Sequence, residues 1–512
     1  MAFAGPFVLL ETGHGASEGG KDLKIKVAAA VALLASLSLI PGIDAGRPGA
    51  KNVILMISDG QGFNTVRATE YYAGRKAVYE SFEHRWAMQT HSSGHANGYT
   101  GRPYDPAAMA ADFNYAKNGA TDSAAAATAL VTGVKVFDNQ INFTPGGAPL
   151  ESLFEHAARA GKSIGAVSSV PFTHATPASV YGHNRSRMNY SDLAKEAIYG
   201  SHPGTHNAGY DARNHHGKLK VILAPGNPEY DNDAGRRSLP SYGLIGEEAH
   251  WRDLAAGTNG WTLISTLAEF EALGRGDTPD KVFGIPHVYE TLQQRRGGRA
   301  PRNDKTPPYA TPANSGVPDL ATMTRGALNV LDNNPAGFAL MIEGGAVDWA
   351  NHDNHAGRMI EEQLDFNRAV EAVVEYLDRN TEGNNWNNTL LVVTADHECG
   401  YLWGDGRVEG TTYFDVNGNG TFDHGVDYAH VKDNGAGRLP GLWYHSGNHS
   451  NSLVPLYARG AGSELFERCV IGVEPNLRKI YDLGEGWTGK FIDNTCVARV
   501  VESGSFPRRG GE

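Results

Sequence analysis

The sequence predicts an α/β fold: a largely parallel central sheet with helices on both faces. Three observations predict it. The strand candidates are continuous apolar runs, which marks strands buried on both faces. Segments with helical spacing fall between those runs, as in alternating α/β architectures. The polar residues gather at the C-terminal ends of the runs, where open α/β sheets bind their ligands.

The elements follow in order. Lys21, Lys24 and Lys26 precede an apolar run at 27–40, with Pro41 and Ala45 after it. A basic segment, an apolar run and small residues read as a secretory signal. The run is too short for a comfortable membrane span. Residues 1–45 are therefore read as an N-terminal extension and signal peptide. The Gly-rich first twenty or so residues suggest a start site placed too far upstream. Residues 46–512 are read as one large domain, periplasmic or secreted, with no membrane contact in the mature form.

The first strand is the run 53–57, ending in Ser58-Asp59-Gly60. Residues 150–162 read as helix and 163–170 as strand. Shorter strands are expected at 220–224 and 281–285, and a helix at 320–331. The run 338–342 is a strand ending at Glu343. Ile360, Leu364, Val370, Val373, Val374 and Leu377 form a core-facing helical stripe. Residues 390–394 form a strand ending at Ala395-Asp396-His397, and 453–458 form a last one. Residues 401–448 are rich in Gly, Asn and Asp and read as an insertion of loops rather than core.

Composition narrows the function. Among 512 residues, 57 are acidic and 45 basic, for a net charge of -12. That balance argues against a nucleic-acid partner, which needs a basic footprint. The three cysteines, Cys399, Cys469 and Cys496, show no zinc-finger spacing. Cys469 and Cys496 can form one disulfide in an oxidising compartment. Cys399 is left over beside the metal candidates and reads as a buried inert thiol.

The chain is organised around Asp122-Ser123 and the alanine run after it. Alanine is the best helix former, so Ser123 belongs in a first helical turn. Unpaired N–H groups and the positive dipole end collect there and suit phosphate. On this stretch alone an ordinary helix cap is the better reading. The Asp, Glu and His residues at strand ends reverse that. Asp348 and His352 stand four apart, one helical turn on one face, which suits zinc. A surface Asp–His pair explains that spacing equally well. Asp396-His397 is a second pair, and His449 adds another imidazole before the last strand.

Taken together, these motifs resemble the alkaline phosphatase family. The resemblance runs from Asn52 to about Val500. It rests on Ser58-Asp59-Gly60, the Thr121-Asp122-Ser123-Ala124 run, His174-Ala175-Thr176-Pro177-Ala178 with Arg187, the Glu343 to His352 run, Thr394-Ala395-Asp396-His397-Glu398, and His449. Six motifs in the family's order make chance agreement a poor explanation.

The resemblance implies hydrolysis of phosphate monoesters through a phosphoserine on Ser123, at a site of two zinc ions and one magnesium. Residues 46–512 would then be the catalytic domain. Asp348, His352 and His449 would hold one zinc; Asp59, Asp396 and His397 would hold the second, beside Ser123. Asp59 would bridge to magnesium, completed by Thr176 and Glu343. Arg187 would clamp two phosphate oxygens with its planar fork, and Asp122 would orient it. His174 and Trp349 would face the substrate. They depart from the best-known bacterial pattern, which has Asp and Lys there. A neutral His174 should weaken a hard cation nearby, and Trp349 removes a positive charge. The partners are small phosphorylated substrates, and a homodimer follows by analogy alone.

A separate signal is Asp415, Asn417, Asn419, Thr421 and Asp423, with Gly420 at the sixth place. The spacing resembles a calcium loop, but position 12 is Val426 rather than Glu. A solvated Asn-Gly turn explains it as well. His183, His355 and His445 are read as supporting or surface residues. The alternatives to a phosphomonoesterase are a phosphodiesterase on the same metal core and a non-catalytic exported metal-binding protein. Arg187, whose fork takes two free phosphate oxygens, is read as favouring the monoester.

Overall fold

Eleven strands form the central sheet of this computed structural model, which describes residues 49–95, 98, 100–200, 217–299, 301–404, 427 and 429–505. The signal segment and the Asp415–Asp423 loop lie outside the described residues. From Arg47 onward the chain makes one compact unit.

The strands are β1 (Asn52–Ser58), β2 (His84–Gln89), β3 (Ser163–Ser168), β4 (Leu219–Leu223), β5 (Thr262–Ile264), β6 (Val282–Gly284), β7 (Phe338–Gly344), β8 (Thr389–Thr394), β9 (Glu398–Cys399), β10 (Leu402–Trp403), β11 (Trp443–Tyr444), β12 (His449–Ser450), β13 (Val454–Gly460), β14 (Val470–Val473) and β15 (Lys490–Asp493). Across the large sheet the order is β14-β15-β2-β13-β8-β1-β7-β3-β4-β6-β5. From β8 to β5 every pairing is parallel. β13 breaks the rule, running antiparallel to both β8 and β2. The sheet is thus mixed but largely parallel, as the sequence predicts.

β1 shows why the centre is built of continuous apolar runs. All seven of its residues are buried. Ile54 and Met56 join one core; Val53, Leu55 and Ile57 join the other. With a period of two, a strand covered on both faces must be apolar throughout. Helices Leu320–Leu331 and Ala356–Asp378 pack Met323, Leu328, Phe366, Val370 and Val373 into the first core. Helices Ser123–Thr132, Leu153–Arg159 and Cys496–Gly504 close the second with Leu130, Phe154 and Val497.

Three readings need correction. Glu343 lies inside β7, opposite Ile57 of β1, rather than beyond the strand end. Leu364 of the predicted stripe is only partly buried, its five companions fully so. The ends of the 401–448 insertion are core rather than loop. Tyr401 and Trp403 are buried in the main core, and β10 pairs with β11. Large aromatics outweigh the Gly-rich composition around them. Cys469 and Cys496 form a disulfide. No helix among the described residues is long and apolar enough to cross a membrane.

Candidate metal centre

Parallel neighbours bring distant residues to one sheet edge. Asp59 follows β1, and Asp396 lies two residues past β8; Ile57 of β1 is opposite Thr394 of β8. Both carboxylates therefore leave the sheet at the same edge. Gly60 makes the turn after Asp59 with φ +76, where an L side chain is strained. A Cβ there would also sit 2.9 Å from the Asp348 Cα. The position needs glycine twice over.

Helix Ala346–His352 carries Asp348 and His352 one turn apart, as expected. The two Asp348 oxygens approach His352 Nε2 at 3.4 Å and His449 Nε2 at 3.3 Å. His449 arrives from β12, which pairs with β9 so that His449 faces Cys399. Asp348, His352, His449 and Cys399 offer ligand atoms within 4.8 Å of one another, and Asp59, Asp396 and His397 form a second such group. The first group includes a residue that the sequence reading set aside. Cys399 gives no spacing signal; only its pairing with His449 reveals it.

The hydrogen bonds show what the first group wants. His352 Nδ1 is 2.7 Å from the Gly447 carbonyl, and His449 Nδ1 is 2.8 Å from the Thr121 carbonyl. A carbonyl only accepts, so both Nδ1 atoms carry protons. The two Nε2 atoms face each other at 3.0 Å. Two lone pairs there would repel, so either a proton on His449 Nε2 or a cation lies between them. Burial pushes the His449 imidazole down, but Asp348 overrides it and holds it up at about 9. Burial likewise opposes the Asp348 charge, yet His352 and His449 keep that carboxyl well below its usual range.

The second group is short of positive charge. Both Asp59 oxygens, Asp396 Oδ2 and the nearby Glu343 Oε1 are buried without a hydrogen-bond partner. Unpaired buried carboxylates are costly. Burial, then Asp396, Asp348 and Glu343, pushes Asp59 well above the carboxylate range. Burial lifts Asp396 to about 6 and Glu343 to about 8. Divalent cations would remove the penalty. Carboxylate and imidazole donors in both groups fit zinc. The Thr176 hydroxyl beside Glu343 offers oxygen, which fits a hard cation. Glu343 is steadied by the Ser168 hydroxyl, a partner that no sequence signal marks.

Ser123 is the first residue of its helix, and its Oγ lies 3.2 Å from His397 Nε2. Asp122, not Ser123, is the N-cap. One Asp122 oxygen accepts from Ala125 N at 3.0 Å; the other accepts from Asn139 N at 3.0 Å and Arg187 Nη1 at 3.1 Å. Arg187 is also pinned through its own N–H to the Asn139 carbonyl at 2.8 Å.

His174 lies 5.4 Å from Trp349, ring centre to ring centre. Burial, then Arg187, pushes the His174 imidazole down to about 3, so it is neutral. The Arg295 guanidinium lies 4.9 Å over the Trp349 ring and pairs with Asp353 at 2.6 Å. A cation thus backs the ring that the sequence reads as removing one. His183, His355 and His445 stand outside both ligand groups. His355 caps a helix, accepting from Arg358 N at 3.1 Å.

The family model described as alkaline phosphatase matches residues 50–436, more than half of the chain. The chain belongs to the alkaline phosphatase family. Alkaline phosphatase 4 of Bacillus subtilis is 30% identical over 357 residues, covering 68% of this chain and 62% of that protein. Alkaline phosphatase 3 of the same organism is 28% identical over 352 residues, covering 68% and 61%. The match thus spans somewhat less than two thirds of these relatives. The Escherichia coli alkaline phosphatase is 28% identical over 361 residues, covering 68% of this chain and 70% of that one. Among solved structures, the alkaline phosphatase of the Antarctic bacterium TAB5 superposes with a TM-score of 0.56 at 21% identity, covering 90% of this chain and 100% of that one. The Thermus thermophilus alkaline phosphatase gives 0.56 at 21%, covering 90% and 92%. These structures share the alkaline phosphatase fold with this chain.

Proposed function

We propose that this alkaline phosphatase family member hydrolyses phosphate monoesters to an alcohol and inorganic phosphate, with Ser123 as nucleophile. The observation that carries the reading is the 3.2 Å approach of Ser123 Oγ to His397 Nε2, inside the Asp59–Asp396–His397 group. Serine is a weak nucleophile until its alkoxide is stabilised. Zinc in the two ligand groups, with magnesium at Asp59, Thr176 and Glu343, would supply Lewis-acid charge for the attacking and leaving oxygens.

The chain's own residues do the rest. Arg187, fixed by Asp122, binds two free phosphate oxygens in its planar fork. The helix N-terminus at Ser123 adds N–H groups and a positive dipole end. Ser123 attacks phosphorus and takes the phosphoryl group as the alcohol leaves. Water then displaces Ser123 from phosphorus, releasing inorganic phosphate. His174 and Trp349 line the substrate side. Residues 46–512 serve as the catalytic domain of an exported enzyme, and the Cys469–Cys496 disulfide supports an oxidising compartment. Calcium at the Asp415 loop would be structural.

The test is turnover of a chromogenic phosphomonoester and its diester analogue, before and after chelation. Monoester turnover lost on chelation and restored by zinc and magnesium is expected. Equal diester activity would favour a phosphodiesterase. Zinc binding without turnover would favour a non-catalytic metal-binding protein.

A further inference from the structure

Asp59 has no hydrogen bond of its own to hold its carboxylate, since both oxygens are buried without a partner. Where that carboxylate points is set by the turn that carries it. Ser58 ends β1, and Gln61 N donates to the Ser58 carbonyl at 3.1 Å, closing a four-residue turn over Asp59 and Gly60. One side chain holds both ends of this turn. Ser58 Oγ donates to Gln363 Oε1 at 2.8 Å, and Gln363 Nε2 donates to Gln61 Oε1 at 2.7 Å. The second amide hydrogen goes to Asn367 Oδ1 at 3.2 Å, which also accepts from Tyr79 OH at 3.0 Å.

This amide stands where an apolar side chain would pack without desolvation. Ser58, Gln61 and Gln363 are all fully buried. Gln363 belongs to helix Ala356–Asp378, whose other inward residues include Phe366, Val370 and Val373. Burying three polar side chains carries a desolvation cost that their hydrogen bonds offset with little surplus. What such a network adds over apolar packing is a fixed geometry. Gln61 has no other side-chain support among the described residues, because its Nε2 is buried without a partner. The helix contributes no member to either ligand group. Gln363 therefore bears on the metal centre through the turn.

We propose that Gln363 is a positioning residue: its amide spans the Ser58–Gln61 turn and fixes where Asp59 presents its carboxylate to a divalent cation. This rests on the reading that Asp59, Asp396 and His397 hold a metal. Groups that orient a metal ligand are worth roughly 10- to 100-fold in metal affinity. Here the orienting group acts on the ligand's backbone, because the carboxylate offers it no contact.

The experiment uses the full chain and cobalt(II), with binding measured by chelator competition. D59A and D348A identify which binding class belongs to which ligand group. Q363M keeps the length and volume of the side chain and removes both hydrogen bonds to the turn. The expected result is a fall of about 10-fold or more at the class that D59A abolishes, with the class that D348A abolishes unchanged. S58A and Q61M should each weaken the Asp59 class in the parent and add nothing to it in the Q363M background. A side chain that only fastens the helix to the sheet would lower both classes together, in step with the metal-free Tm, and that result overturns the proposal. Parental affinity at the Asp59 class in Q363M overturns it as well. A parent with no cobalt class sensitive to D59A overturns the metal reading beneath it. Should Q363M fail to fold, S58A and Q61M decide: a loss confined to the Asp59 class in either supports the role, and parental affinity in both overturns it.

Discussion

Ser123 and Arg187 are separable by kinetics. S123A should abolish monoester turnover while leaving zinc bound, measured by steady-state rates and metal analysis. R187A should raise KM and lower kcat/KM by about 100-fold or more, since charge-assisted bonds to an anion are each worth ~1.5–3 kcal/mol. D122A should damage both function and fold. It frees Arg187 and removes a helix cap worth about 1 kcal/mol, read as a lower Tm in the metal-free protein. These roles were partly legible in the sequence, because the Asp-Ser-Ala run announces a helix start. That Asp122 is the cap, and Ser123 the residue after it, depends on φ/ψ at one position. Gly447 O, Thr121 O and Arg295 were not legible, since carbonyls and remote cations leave no spacing pattern.

A different residue sets a pH dependence away from the metal groups. Burial, then Asp365 and Glu361, pushes Glu362 up to about 8. The unfolded value is about 4.3. Between these values the folded chain keeps a proton that the unfolded chain has released. Stability from this group is therefore full below the unfolded value and declines as pH rises toward 8. E362Q removes the decline: its stability relative to the parent should grow by roughly 1 kcal/mol per pH unit between about pH 5 and 8, measured by urea unfolding.

Elements were legible where burial and period agree. β1 and β8 announce themselves because nothing polar interrupts them. The 401–448 stretch misleads because a few aromatics, Trp403 above all, anchor it against a background of turn residues. The Cys469–Cys496 bridge spans 27 residues between the start of β14 and the last helix. Chain entropy gives such a loop about 3.5 kcal/mol. C469S/C496S should lower stability by roughly 2–4 kcal/mol, and reductant should lower the parent's Tm in the same direction.

At the scale of the molecule, cation binding at the two candidate groups would be coupled to folding. Ions that bind only the folded chain stabilise it by about 4 kcal/mol at a thousandfold excess over Kd. Chelation should lower Tm, and zinc with magnesium should restore it. The family resemblance made the ligand set readable as a list. The resemblance also divided that list into its two groups; strand order supplies the physical reason they meet, because parallel pairing converts distant strand ends into neighbours.

The antiparallel pairing of His449 with Cys399 has a consequence in time. The first cluster draws on residues 348, 352, 399 and 449, and its histidine tautomers lean on carbonyls at 121 and 447. A growing polypeptide holds no complete copy of it until His449 has been added. The strands β13, β14 and β15 follow it, and β2 pairs, among the described residues, only with β13 and β15, so the chain holds every residue of the cluster before it can close the sheet beside it.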